Sequence, residues 1–201
     1  MASSDTNALS ATIEYLNTGR IIAYPTETFY GLGARHDDGD AIRRIYAIKH
    51  RPADKTLPVI IGSRTHLGLL TDMKDQRADI LMERFWPGPL TLIVPALPGL
   101  TEGIVYEKKI AVRIPGPSFA LALACAAGFP ITSTSANVSG LPAAASAQMV
   151  IGYFGDAVDL VIDGGESPSS LPSTIVDLTA ADPVIVREGI IPAATILALI
   201  R

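Results

Sequence analysis

Lys49, Arg51 and Lys55 lie within a seven-residue stretch of an acidic chain, with Asp54 as the only carboxylate among them. Cations this close repel one another unless an anion sits between them. Lysine supplies a compact point charge and arginine a planar fork matched to two oxygens of a phosphate or carboxylate. Placement makes the cluster a candidate for anion chemistry. An apolar helical pattern, Ile42, Ile45 and Ile48, ends just before it, and an apolar run from Leu57 to Ile61 begins just after. Binding groups held between two rigid elements in this way keep their geometry. Pro52 pushes Arg51 toward extended backbone and out of the helix, so that Lys49 and Arg51 can point the same way.

Four turns rich in hydroxyl and glycine residues follow apolar runs. They are Pro25 to Gly33 with Thr26, Thr28 and Tyr30; Ile131 to Gly140 with Ser133, Ser135, Asn137 and Ser139; Gly164-Gly165 leading to Ser173 and Thr174; and Arg187-Glu188-Gly189. One such turn is ordinary turn chemistry. Four at strand ends, with Arg113 closing another strand, suit an anion held by hydroxyls, backbone N–H groups and fixed cations. That describes a nucleotide site built without a Walker A loop, and the Walker pattern is absent. Gly31-Leu-Gly33 has two glycines of a dinucleotide fingerprint but lacks the third and opens no helix.

Other catalytic templates fail. There is no Gly-x-Ser-x-Gly elbow, and His36, His50 and His66 lack metal-ligand spacing and read as surface residues. No metal site is expected. Asp37 and Asp38 read as a solvated turn, and no carboxylate pair stands out as a general base. Phosphoryl or nucleotidyl transfer tolerates this, because positioning and charge stabilisation supply most of the acceleration.

The elements that must position these groups follow from periodicity and punctuation. Helices are expected over residues 7–17, 40–48, 63–70, 75–85, 117–127 and 146–154 and after Pro192, with Pro117 in a first helical turn. Strands are expected over 21–24, 57–61, 90–94, 109–114, 131–134, 160–162, 174–178 and 184–186, with a polar loop between the third and fourth through Glu102 and Gly103. Helices and strands alternate early and strands crowd late, which predicts an α/β fold with one twisted, open, mixed sheet flanked by helices.

With 201 residues and no repeat or linker, one domain over 1–201 is expected. A net charge of −4 argues against a wholly nucleic-acid-binding surface and leaves room for a local basic cleft. One cysteine excludes an internal disulfide, and the alanine-rich setting of Cys125 reads as core. The N-terminus has no signal-peptide pattern, and no apolar run approaches the roughly 20 residues of a membrane span. A cytoplasmic protein is expected.

These segments, in order, resemble the YrdC/TsaC family of threonylcarbamoyl-AMP synthases. The matching residues are Pro25-Thr-Glu-Thr28 with Tyr30-Gly-Leu-Gly33, Lys49-x-Arg51-Pro-x-Asp-Lys55, Trp86-Pro-Gly-Pro89-Leu-Thr91, Ala111-Val-Arg113-Ile-Pro115, Ser135-Ala-Asn137-x-Ser139-Gly140, Ser173-Thr-Ile-Val-Asp177 and Arg187-x-Gly189. The resemblance spans about residues 8 to 198 and looks like the family's short, single-domain form with a concave basic cleft. It implies an enzyme, a nucleotidyltransferase, that makes threonylcarbamoyl-AMP and pyrophosphate from ATP, L-threonine and bicarbonate. Other proteins then transfer the group to tRNA, and Mg²⁺ would ride on the phosphates.

Carried over by motif, the resemblance gives Thr26, Arg113 and Ser173 to threonine, and Lys49, Arg51 and Lys55 to the ATP phosphates, with Lys49 and Arg51 as the catalytic pair. Ser133, Ser135, Asn137 and Arg187 would hold the nucleotide. Ile60 stands where some family members have histidine, and Lys55 where some have asparagine. A second reading of the same family is a double-stranded-RNA-binding module without this activity, and a YciO-like paralogue with altered activity is its nearest variant. RNA contact is a further expectation.

Overall fold

The computed structural model describes residues 3–200. The chain opens with helix α1 (Ser3–Asn17), then strands β1 (Ile22–Tyr24) and β2 (Gly31–Gly33) and helix α2 (Gly39–Lys49). Asp38 caps α2 by accepting from the Ala41 N–H, and Asp37 pairs with Arg35, so the two acids have separate structural tasks instead of forming a free solvated turn. Strand β3 (Val59–Ile60), a 3₁₀ turn over Arg64–Leu69 and helix α3 (Gln76–Phe85), capped by Asp75, lead to β4 (Leu90–Pro95). Next come β5 (Val105–Tyr106), β6 (Lys109–Arg113), α4 (Phe119–Ala127), β7 (Ile131–Thr132) and β8 (Thr134–Ser135). Helix α5 (Ala147–Phe154), β9 (Leu160–Val161), β10 (Thr174–Asp177), β11 (Val184–Arg187) and α6 (Ala193–Ile200) complete the order.

The expected mixed α/β architecture is present, with the sheet divided in two. One sheet has the order β8-β2-β1-β9; the other runs β11-β10-β4-β6-β3-β7, with β5 paired to β6. They meet where β7 passes into β8 at Ser133, whose N–H donates to the Pro58 carbonyl at 2.7 Å, while Thr132 N–H donates to Ala34 O at 2.9 Å. The predicted single strand over 131–134 is therefore a crossing between sheets. Helices cover both faces because alternate strand residues point opposite ways. Ile22 and Tyr24 pack with Leu16, Ile60, Ala120 and Leu123 under α1 and α4, while Ile21 and Ala23 join Ile42, Ile45, Leu81, Val150 and Ile196 on the other side.

Several expectations change. The Gly31–Gly33 segment is a strand, antiparallel to β1 in the register Ile22↔Gly33 and Tyr24↔Gly31. A Cβ at Gly33 would stand 2.7 Å from both Thr132 O and the Tyr24 ring, so the glycine is required by close approach. Gly33→Ala should therefore cost about 1–3 kcal/mol in stability, read from urea unfolding; an unchanged midpoint would refute the tight contact. The loop expected between β4 and β6 contains β5. Ser118, not Pro117, caps α4, which places the proline ahead of the helix. Cys125 is exposed, its Sγ donating to Gly62 O at 3.2 Å, whereas Ala120, Leu123 and Ala124 face inward. A helix made almost wholly of apolar residues carries no periodicity to say which face is buried. Of the three histidines only His50 is exposed; His36 and His66 are half-buried.

Candidate active site

Strand register assembles the site. β6 and β4 are antiparallel with Leu92 opposite Val112, so the start of β4 lies beside the end of β6 and Thr91 comes next to Arg113. β10 runs parallel to β4 with Ile175 opposite Thr91, and β11 runs back with Arg187 opposite Ile175. Arg113, Thr91, Ile175 and Arg187 thus form a row across four neighbouring strands. Side chains in register on adjacent strands share a face. All four line one cavity of about 180 Å³, which the turn after β1 closes with Thr26, Thr28 and Phe29, and the seam between sheets closes with Ser133, Thr134 and Ser135.

Several of the polar groups are held before any ligand arrives. Thr26 donates to Phe29 O at 2.7 Å, accepts from the Thr28 N–H at 3.0 Å and meets the Thr28 hydroxyl at 3.0 Å, so both hydroxyls are fixed by their own turn. Ser173 bonds Thr91 across the strands at 3.1 Å, and Arg187 donates to Ser173 O at 2.7 and 3.1 Å and to its hydroxyl at 3.1 Å. Gly189 permits this grip, since a Cβ there would lie 2.1 Å from Pro172 O. Arg51 donates to Lys55 O and Thr56 O, both at 2.7 Å, folding its loop over the cavity wall. Arg113 pairs with Glu27 at 2.6 Å.

Of the residues singled out by sequence, Thr26, Arg51, Arg113, Ser133, Ser135, Ser173 and Arg187 line this one cavity. Lys49, Lys55 and Asn137 do not. Asn137 closes its own loop, accepting from the Ser135 hydroxyl at 2.6 Å and donating to Leu141 O at 2.7 Å. Lys55 is exposed outside the cavity. Lys49 is 1% exposed, and its Nζ donates to the carbonyls of Ser135 and Asn137. It ties the end of α2 to the wall of the cavity and does not open into it. Ile60 lies in register with Arg113 but is wholly buried beside Tyr24, so position 60 offers the cavity no polar atom. Sequence reasoning did not assign Thr28, Thr91 or Glu27 a role. All three lie inside motifs that carry the family resemblance, Glu27 and Thr28 in the turn after β1 and Thr91 near the start of β4, and residue type alone sets none of them apart.

Arg187 keeps part of its surface exposed while its guanidinium shares the cavity lining with Arg113. Burial, and then the proximity of Arg113, pulls the Arg187 pKa down, and burial does the same to Arg51. An anion in the cavity would relieve both effects. Lys49 is pushed from its ordinary value of 10.5 down to about 7, by burial first and then by Arg51. Between those pH values the unfolded chain binds a proton that the folded chain lacks, so stability rises with pH across that window. Denaturant unfolding from pH 7 to 10 should show this rise, and Lys49→Met should flatten it; an equal slope in the variant would count against a strained ammonium.

The sequence of residues 14–189 matches the family model named Sua5_yciO_yrdC and described as telomere recombination. A curated threonylcarbamoyl-AMP synthase from Pyrococcus abyssi (strain GE5 / Orsay) is 40% identical over 89% of this chain and 53% of its own length. The corresponding synthase of Shigella boydii serotype 4 (strain Sb227) is 36% identical over 91% of this chain and 96% of its own. The crystal structure of P. abyssi Sua5 complexed with L-threonine superposes with a TM-score of 0.90 at 37% identity, covering 96% of this chain and 58% of that one. The chain thus spans about half the length of the archaeal relative and nearly all of the Shigella protein. With a family match over most of its length and the same fold at this level of identity, the chain belongs to the Sua5/YciO/YrdC family.

Proposed function

We propose that this chain is a threonylcarbamoyl-AMP synthase, a nucleotidyltransferase that uses L-threonine, bicarbonate and ATP. The observation that carries the reading is the convergence of Arg51, Arg113 and Arg187 on one hydroxyl-lined cavity in a chain of negative net charge. At about 180 Å³ the cavity is smaller than the roughly 300–1,000 Å³ of sites that enclose drug-sized ligands. It suits an amino acid, with a nucleotide laid along its open side. Arg113 would grip the threonine carboxylate, helped by the hydroxyls of Thr26 and Ser173. Arg51, with Lys55 on the rim, would meet the triphosphate, and Ser133, Ser135, Asn137 and Arg187 would hold the nucleotide. Lys49 would contribute its charge from behind the 135–137 wall.

In the proposed reaction the threonine amine bonds to the carbon of bicarbonate with loss of water. A carbamate oxygen then bonds to the α-phosphorus as the bond to the departing pyrophosphate breaks. Negative charge grows on the phosphate oxygens and the leaving group, where fixed donors stabilise it most. No group of three or more His, Cys, Asp or Glu side chains able to hold a metal occurs among the described residues. In this reading a Mg²⁺ ion would travel on the phosphates. No helix among the described residues is long and apolar enough to cross a membrane. The reading carries with it a cytoplasmic location, a single-domain unit over 1–201 and downstream proteins that pass the group to tRNA.

The test is pyrophosphate release with ATP, leaving out threonine or bicarbonate in turn. Release should require both. Release that continues without threonine would overturn the assignment, and tight, salt-sensitive RNA binding without any turnover would favour the binding-module reading instead.

A further inference from the structure

Arg113 is the most buried of the three cavity arginines, and a single carboxylate, Glu27, reaches it among the described residues, Nη1 donating to Oε1 at 2.6 Å. Glu27 sits between Thr26 and Thr28 but turns away from the cavity those threonines line, toward the far side of the turn. There its other oxygen, Oε2, is buried with no hydrogen-bond partner among the described residues. A buried carboxylate oxygen left unpaired costs free energy, so the pair is not arranged for stability alone. Space has been made for it: a Cβ at Gly116 would lie 3.0 Å from Glu27 Cγ and 3.4 Å from Cδ. Gly116 follows Arg113 by three residues, so one segment supplies both the cation and the room for its partner.

We propose that Glu27 is a positioning residue, fixing one edge of the Arg113 guanidinium so that the rest of its fork faces the cavity for an amino-acid carboxylate. An arginine carries five donors in a rigid plane, and Glu27 occupies one end of that plane from outside the cavity. Without it, the side chain would have to be ordered at the moment of binding, which lowers affinity. The proposal rests on the reading that Arg113 receives threonine.

The experiment is calorimetric titration of L-threonine into the full chain, with KM for threonine and ATP from pyrophosphate release. Glu27→Ala should weaken threonine binding and raise its KM by about 10–100-fold, as a shift near 1 Å in a positioning group does, with KM for ATP within about twofold. Glu27→Gln keeps an oxygen for Nη1 and should recover most of the loss. Threonine affinity unchanged in Glu27→Ala, or equal losses for threonine and ATP, would overturn the proposal. Should Glu27→Ala fail to fold, Glu27→Asp carries the test: it keeps the charge but draws the oxygen back by one methylene, and an unchanged threonine affinity there overturns the proposal as well. Wild-type protein that does not bind threonine at all would instead sink the function proposed above.

Discussion

Arg113→Ala should lower kcat/KM for threonine by about 10³ or more and destabilise the fold at the same time. Truncating one member of a hydrogen-bonded buried charge pair costs about 3–5 kcal/mol, chiefly because the other charge is stranded. Here the stranded group is Glu27, whose second oxygen already lacks a partner. A loss near 4 kcal/mol in ligand recognition corresponds to about 10³ in affinity. The two effects can be separated. Arg113→Met combined with Glu27→Leu removes both charges and puts apolar groups in their place, which often restores stability after a buried pair is lost. Unfolding of the double variant should return to within about 1–2 kcal/mol of wild type while activity stays absent. If activity returned with stability, Arg113 would be a structural residue and not a ligand for threonine.

The fold was legible where local rules act alone. Asp75 and Ser146 cap the helices expected to begin at those residues, and the strands over 90–95, 109–113 and 174–177 announce themselves as apolar runs. The Gly31–Gly33 strand was not legible, because glycine is depleted from strands and its reason for being there, the ring of Tyr24, comes from another strand. Tyr24 itself, wholly buried with its hydroxyl donating to Thr132 O at 3.1 Å, has its pKa driven up by desolvation. It belongs to the floor beneath the site, and nothing about its position in the sequence says so.

The site shows the same division. Thr26, Arg113 and Ser135 stand out by residue type at or just past strand ends and Arg51 just past a helix end, and the fold brings all four to one cavity. Lys49 meets the same criterion, yet it faces the Ser135 and Asn137 carbonyls, because the length that lets lysine reach a phosphate also lets it reach a neighbouring loop. Residue type reveals a capacity for charge, while the direction of a long side chain depends on which acceptors the fold leaves unpaired. Glu27 shows the complementary case. A lone acid in a threonine-rich turn carries no signal until Arg113 is seen beside it.

Arg51→Ala should cost about 10²–10³ in kcat/KM for ATP with little loss of fold. The magnitude is that of removing one fixed donor from a transition state in which charge is building. Its present partners, the Lys55 and Thr56 carbonyls, belong to a half-exposed loop, so water can replace the guanidinium there at small cost. A stability change of no more than about 1 kcal/mol corresponds to a Tm shift of roughly 2–4 °C for a chain of this length. Arg51→Lys sharpens the experiment. It keeps a cation but replaces the fork by a point charge that cannot hold two carbonyls and a phosphate together, so it should recover less than half of the lost activation free energy. Full recovery by lysine would mean that charge alone matters at position 51. A Tm drop well beyond 4 °C in Arg51→Ala would mean that the loop over residues 51–57 depends on this side chain for its folding, and that its link to ATP is indirect.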